Sequence, residues 1–517
     1  MVKKRRILSL FLLIAIVVNI FTGCAVKDTS ADAVKTLDDL ENATIGIETG
    51  SVWDTAAQQK FPEAKIMYFG FPADGLLALS QGKLDAYFAD KTVYTSIRWE
   101  NDAYTCLEEP IGDITNALIF AKEGYDENLL AQVNAFIAES KANGTLDRLA
   151  NKWVGDTEPE EHPDYTRLTG ENGTLRIAVN NADRPVSYQK GTMYTGYEVE
   201  FLTLFAQEYG YRLEFQGMSF AALIPSVVSG KCDIGAGAIT ITPERMESVT
   251  FSDPHFETYG VAIIMRDGEE TSELTLMERI AESFNKTFIR EDRWKLIVEG
   301  IGVTLLISIC AAAAGSLLGF GLYMLSRSDV KLLQTLVKGV AKVYSRIVAG
   351  TPVVVILMIL FYVVFGKIRD MSGVVVAILG FTLTFGAFVY DHMNVSVSSV
   401  DKGQTEAAYA LGYTKNQTFF RIIFPQAMTI FLPSYCGQAV ELIKATAVVG
   451  YIAVNDLTKM GDIIRSNTYE AFFPLIATAV IYFLLSWILS VLLGVVKRRF
   501  EPKLRSEETI LKGVKTK

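Results

Sequence analysis

The chain has 517 residues, half of them hydrophobic and 21% charged, a balance that excludes a disordered chain and exceeds the apolar share of an ordinary soluble protein. Its net charge of −9 hides a split: residues 1–300 carry 28 Lys+Arg against 46 Asp+Glu, and residues 301–517 carry 21 against 12. The acidic front argues against nucleic acid as a partner, and five Cys with three His are too few for a disulfide scaffold or a His-rich metal site, so no metal, cofactor or catalytic residue is expected.

The N-terminus opens with Lys3-Lys4-Arg5-Arg6, an apolar run over residues 7–21, and Thr22-Gly23-Cys24. A basic start before a short apolar core is an export signal, too short to span a bilayer comfortably. The small residues before Cys24 resemble a bacterial lipoprotein cleavage site, with Phe21 where Leu is usual. Lipidation at Cys24, retention of residues 1–24 as an anchor, and ordinary signal cleavage are three readings. Each puts the region that follows outside the cell.

Residues 36–157 alternate strand patterns (43–48, 64–70, 84–89) with helical ones (73–81, 128–142, ended at Gly144). Residues 158–173, rich in Glu, Pro and Gly, read as a linker. Residues 174–268 repeat the grammar, with strands over 175–179, 212–217 and 233–238 and helices over 198–210 and 221–229. Thr242 then caps a helix whose first position is Pro243. Such alternation implies α/β layers. Residues 269–294 read as an amphipathic connector lying at the membrane interface, or as the last part of the α/β domain before them.

Beyond Glu299, uncharged runs recur over residues 300–325, 347–366, 371–390, 422–454 and 471–496, the fourth interrupted by Pro425, Pro433, Glu441 and Lys444. Each is near or above the length that crosses hydrocarbon, where backbone must satisfy itself as helix. The intervening stretch 327–346 carries Arg327, Lys331, Lys338, Lys342 and Arg346 against Asp329 alone, and the C-terminal tail begins Lys497-Arg498-Arg499. Positive charge marks the inner side. The expectation is five spans within residues 295–501, the acidic front outside a bacterial plasma membrane, and a basic tail, 502–517, in the cytoplasm.

At this point the residues resemble a known family. Gly196-Tyr197-Glu198-Val199-Glu200-Phe201, Leu223-Ile224-Pro225, Gly230-Lys231-Cys232-Asp233, Ile241-Thr242-Pro243-Glu244-Arg245 and Phe251-Ser252-Asp253-Pro254 are similar to the first part of a periplasmic polar amino-acid binding protein. Thr36-Leu37-Asp38-Asp39-Leu40, Gly46-Ile47-Glu48-Thr49-Gly50, Gly82-Lys83-Leu84-Asp85-Ala86 and Asn143-Gly144-Thr145-Leu146-Asp147 are similar to its second part. The order is reversed, which implies one circularly permuted, two-lobed, type II α/β domain: 36–157 as lobe II plus the C-terminal helix of lobe I, and 174–268 as lobe I. The alternative is two unrelated half-domains, each completed by another chain.

The resemblance implies a site for an α-amino acid. Arg245, with Thr240 and the backbone near Ser51 and Val52, would take the carboxylate. Asp90, with the carbonyl of Ala238, would take the ammonium. Phe220 would form an aromatic wall, and Trp53 stands at a pocket-facing position. Glu48 and Asp183, the latter where the family has an aromatic, would read a cationic side chain or form a solvated rim. On their residues alone, Arg245 could instead pair with Glu244, Glu247 or Asp253, Asp90 could be a cap, and Phe220 could be core.

The run Gly403-Gln404-Thr405-Glu406-Ala407-Ala408-Tyr409-Ala410-Leu411-Gly412, with Gly350-Thr351-Pro352 and Phe424-Pro425-Gln426-Ala427, resembles the permeases of polar amino-acid ABC importers. In that family segment 400–427 couples to a cytoplasmic ATPase, through Glu406, Ala407, Ala408 and Gly412 here. No Gly-x-x-x-x-Gly-Lys-Ser/Thr loop is present, so the chain is read as a transport subunit rather than an enzyme, powered by an ATPase dimer. A homodimer in lipid is the simplest closed assembly. An amino-acid-gated channel or membrane sensor is the alternative; it calls for a filter loop or a long signalling region, and a coupling segment argues against it.

Overall fold

The computed structural model describes residues 34–266, 275–368 and 371–500. The leader with Cys24, part of the connector (267–274) and the tail 502–517 lie outside them. The chain divides into two units: the described residues up to Val228 with Cys232–Arg293 and Asp462–Leu475 form the first, and Ser229–Lys231, Trp294–Gly461 and the residues from Ile476 onward form the second.

The first unit is built on two main sheets. One contains β1 (Thr44–Glu48), β2 (Lys65–Phe69), β3 (Ala86–Asp90), β4 (Tyr104–Cys106) and β5 (Gly112–Asn116). The other contains β6 (Ile119–Ala121) and β7 (Thr174–Asn180). A small antiparallel sheet follows, of β8 (Ala182–Asp183), β9 (Ser187–Lys190) and β10 (Met193–Thr195). The chain then adds β11 (Arg212–Met218) and β12 (Ile234–Ala236), and finally β13 (Val249–Phe251) and β14 (Phe256–Met265).

The first sheet has the order β2-β1-β3-β14-β4, with β5 also on β14; the second has the order β11-β7-β12-β6-β13. Neither block of sequence closes a sheet alone. β14, from the second block, runs antiparallel along β3 with Gly260 opposite Asp90. β6, from the first block, lies between β12 and β13. An edge that either block alone would leave open is filled by the other. The central strands β1 and β7 are parallel to both neighbours and β3 to β1, and all three are buried almost along their whole length, as strands covered on both faces must be. Trp153, Phe120, Phe201 and Phe205 fill the core beside the second sheet, and Ile45, Ile47, Phe61 and Phe88 that beside the first.

Elements expected from periodicity fall within a residue or two of their places. The helix expected over 198–210 is Tyr197–Tyr209, ended by Gly210 at φ +70°, and Thr242 accepts from the Arg245 amide at 3.2 Å, with Pro243 at the first position. The pattern missed β14, because FETYGVAIIM has no clean alternation, and it missed the short strands between residues 104 and 121. The segment expected as a linker holds one 3₁₀ turn, Tyr165–Arg167, and is fastened to the unit. Glu158 accepts from Tyr188 and Lys190 and pairs with Arg184, and His162 Nδ1 lies 2.8 Å from Thr195 Oγ1.

The second unit is helical. Among the described residues, Trp294–Leu325, Gly373–Ser398 and Phe472–Val495 are each long and apolar enough to cross a membrane, and two bent pairs raise the number to five if each pair counts as one span. One pair, Lys331–Gly350 with Val353–Val364, turns by 108° at Thr351-Pro352, where proline lacks a donor and restricts the preceding residue. The stretch 327–346, expected as a loop, is therefore mostly helix. Pro425 and Pro433 do not break Phe424–Ala445. Trp294–Leu325 and Gly373–Ser398 cross at glycine: a Cβ on Gly319 would lie 2.4 Å from the Gly386 carbonyl, the close approach that small residues permit between spans.

Candidate functional site

The carboxyl ends of β1, β3, β7 and β12 face one cleft between the two sheets of the first unit, the place where open α/β sheets hold ligands. Its cavity volume is about 60 Å³. All ten residues expected to bind substrate line it: Glu48, Ser51, Val52, Trp53 and Asp90 from the side of the first sheet, and Asp183, Phe220, Ala238, Thr240 and Arg245 from the side of the second. Tyr87, Asn180 and Gly237 line it as well and were not expected. Tyr87 and Asn180 sit within strands read only for their apolar pattern, and Gly237 carries no side chain to attract notice.

Arg245 is fixed from both sheets. Its guanidinium donates to the Thr240 carbonyl at 2.9 Å and to the Gly50 carbonyl at 3.1 Å, and its centre lies 5.2 Å from the Phe220 ring. Two of its five N–H donors are engaged by these bonds, and among the described residues no carboxylate forms an ion pair with it. Glu244, Glu247 and Asp253 are not its partners. Burial pulls the guanidinium below its ordinary pKa, opposed by Glu244 and Asp90. The Ser51 hydroxyl is buried beside it without a hydrogen-bond partner. Thr240 Oγ1 donates to Asn116 Oδ1 at 3.1 Å, so that hydroxyl steadies the loop that anchors Arg245.

Asp90 occupies the N-cap position of the helix Lys91–Glu100, yet its side chain caps nothing. Its carboxylate accepts instead from the Trp53 indole at 2.8 Å. Burial pushes its pKa up to about 6, against that hydrogen bond and the charge of Arg245. Ala238 holds a left-handed backbone, φ +50°, with its amide donating to Glu198. Trp53 is seated where only glycine fits: a Cβ on Gly260 would lie 2.2 Å from its ring. Gly260→Ala will therefore push Trp53 off Asp90, at about 1–3 kcal/mol for an overpacked site. The check is a red shift of tryptophan fluorescence together with weaker ligand binding; an unchanged spectrum would contradict it.

Burial and the nearby Asp90 raise Glu48 to about 8. Asp183 is held well above its ordinary range by burial and then by Asp90, Glu48 and Glu198. Because these folded values exceed the unfolded ones, the native state binds more protons, and stability falls as pH rises through them. Glu158, held low by Arg184 and Lys190 against the cost of burial, has delivered its contribution below that window. His162, depressed by burial, acts only below about pH 6.5. The ligand-free thermal midpoint should thus drop by at least about 2 °C between pH 6.5 and 8.5, and Glu48→Gln should flatten the drop. A midpoint that rose over this interval would contradict the reading.

In the second unit the expected coupling segment contains the helix Lys402–Ala410. Asp401 caps its start by accepting from the Gly403 amide. Gly412, φ +81°, closes its end: the Gly412 amide donates to Tyr409 and the Tyr413 amide to Ala408, the paired bonds of a Schellman stop. Ala408 is buried within the chain, so it seats the helix. Glu406, Ala407 and Gly412 are exposed, beside Tyr409 and Leu411, which sequence reasoning did not single out.

Residues 175–411 match the family of bacterial extracellular solute-binding proteins, family 3. The probable amino-acid ABC transporter permease protein YckA of Bacillus subtilis is 33% identical over 204 residues, 40% of this chain and 88% of that protein. The L-cystine transport system permease protein TcyB of the same organism is 29% identical over 214 residues, 41% and 90%. The crystal structure of an amino acid ABC transporter with histidines is 30% identical, covering 40% of this chain and 94% of that one, with a TM-score of 0.36. Apolar helices of spanning length and a two-sheet domain around a polar cleft thus stand beside the two permease relatives: the chain belongs to the family of amino-acid ABC transporter permeases and carries a region similar to the solute-binding proteins of family 3.

Proposed function

We propose that the first unit captures a polar L-amino acid outside a bacterial plasma membrane, closes over it, and delivers it to the pore of the same polypeptide, powered by a separate ATPase dimer. The observation that carries this reading is the placement of Arg245 and Asp90 on opposite sides of one cleft. A zwitterion needs a forked cation for its carboxylate and a fixed anion for its ammonium. Such a ligand, bridging two sheets, binds the closed arrangement better than the open one and shifts the population toward it.

The domain is read as a circular permutant, supported by the mutual completion of the two sheets. Two short crossings, β5 to β6 and β13 to β14, connect the sheets and serve as the hinge. The helical unit is read as five spans, each bent pair counting as one, in a homodimer surrounded by lipid. The exposed face of Lys402–Ala410, with Tyr409 and Leu411, is read as the surface that meets the ATPase.

The test is uptake of labelled amino acids into proteoliposomes holding the full chain and its ATPase. ATP-dependent accumulation is expected. Flux without ATP would overturn the importer reading in favour of a channel.

A further inference from the structure

Once the zwitterion is assigned to Arg245 and Asp90, the cleft still holds groups that this assignment leaves unused. Glu48 and Asp183 line it, and among the described residues neither forms an ion pair with a Lys or Arg nitrogen. Tyr87 lines it too, is fully buried, and among the described residues its hydroxyl has no hydrogen-bond partner. The surfaces of Trp53 and Phe220 flank these groups and suit a flexible methylene stem.

Charge bookkeeping then discriminates between side chains. One guanidinium faces three carboxyl groups. A neutral amino acid closes the cleft over Glu48 and Asp183 as protonated acids and brings no charge that would favour their ionised forms. An acidic side chain adds a like charge. An apolar one leaves the Tyr87 hydroxyl orphaned as well. An ammonium or guanidinium on a chain of three or four carbons brings one positive charge, which balances one of the two carboxyl groups when ionised, and supplies donors to all three groups.

We infer that the cleft selects basic L-amino acids, the class of lysine, ornithine and arginine, with Glu48 and Asp183 clamping the side-chain cation and Tyr87 Oη accepting a hydrogen bond from it. The inference rests on the amino-acid clamp proposed above. The raised pKa values of both acids agree with it, since a bound cation would draw one of them into the ionised form and expel its proton to solvent.

The experiment is calorimetric titration of the full chain in nanodiscs, without ATPase, against L-lysine, L-ornithine, L-arginine, L-glutamine, L-norleucine and cadaverine. At least one basic amino acid should bind 30-fold or more tighter than glutamine and norleucine, with proton release that scales with buffer ionisation heat. The Glu48→Gln/Asp183→Asn double variant should lose most of that preference while still binding glutamine. Tighter binding of glutamine or norleucine to the unaltered chain would overturn the inference and leave the amino-acid clamp standing. Cadaverine binding as tightly as lysine, or no amino acid binding at all, would overturn the clamp itself. Should the double variant fail to fold, Tyr87→Phe, which removes one oxygen, is expected to cut lysine affinity several-fold more than glutamine affinity; equal loss for both would count against the assignment.

Discussion

Arg245→Gln and Asp90→Asn should each weaken amino-acid binding by at least a hundredfold, about 3 kcal/mol, the scale on which removal of one partner strands a desolvated charge. The two losses should be separable by ligand chemistry. Arg245→Gln removes the fork that faces a carboxylate, so a substrate amide or decarboxylated amine, already weak, should lose little further affinity. Asp90→Asn keeps an acceptor for the Trp53 indole, which donates to Asp90 in the native protein, but presents no charge to an ammonium. Arg245→Lys retains charge without the bidentate geometry and should recover only part of the loss.

A purely structural role must be excluded, because Arg245 also ties the Thr240 and Gly50 carbonyls together. Thermal midpoints of the ligand-free variants provide that control. If Arg245→Gln lowers the midpoint as much as it lowers affinity, the residue is a bracket between the sheets and not a carboxylate receptor. If affinity collapses while the midpoint stays within a degree or two, the clamp is supported. Either variant binding amino acids normally would end the proposal.

What the sequence made readable, and what it did not, follows from the range of the forces involved. Periodicity reports local burial, so strands such as β7 and helices such as Tyr197–Tyr209 could be placed from neighbours a few residues away. The cleft could be assembled only because short motifs carried a resemblance; the meeting of Glu48 with Asp183, 135 positions apart in the chain, leaves no local trace. Tyr87 was invisible for the opposite reason: in AYFAD it reads as one more buried aromatic. Hydropathy located the apolar runs yet misjudged Lys331–Gly350, because cations on one face of a helix give the same count as cations in a loop. Its other face carries Leu336, Val340, Val343 and Ile347, all exposed and at the spacing of a helical stripe. That stripe was available in the sequence and was hidden by reading charge alone.

Arg184 shows the same limit most sharply, and its substitution carries the largest expected effect on stability. In sequence it is one cation in a loop. In the structure its side chain is 2% exposed and reaches three separate stretches of chain. It donates to Glu100 Oε1 at 2.8 Å and to the Asn467 carbonyl at 2.7 Å, and it pairs with Glu158. Trp99 and Tyr188 lie over the guanidinium at 5.3 and 5.4 Å. Its carbonyl accepts from Ser96 and from Tyr469. Removing one partner of a buried ion pair typically costs 3–5 kcal/mol because the other charge is left uncompensated. Here Glu100 retains Arg290 and Glu158 retains Lys190, so Arg184→Met should cost about 3 kcal/mol, near the lower end. Two further effects distinguish a hub from an isolated pair. Asp183 precedes it directly, so freeing residue 184 should lower affinity for a basic amino acid more than for glutamine. The Asn467 carbonyl loses its guanidinium donor, so amide exchange should rise across Asp462–Leu475, where Arg465 also pairs with Asp74. A variant that melts normally and exchanges normally over that segment would show that the three stretches are held by their apolar packing, with Arg184 a passenger among them.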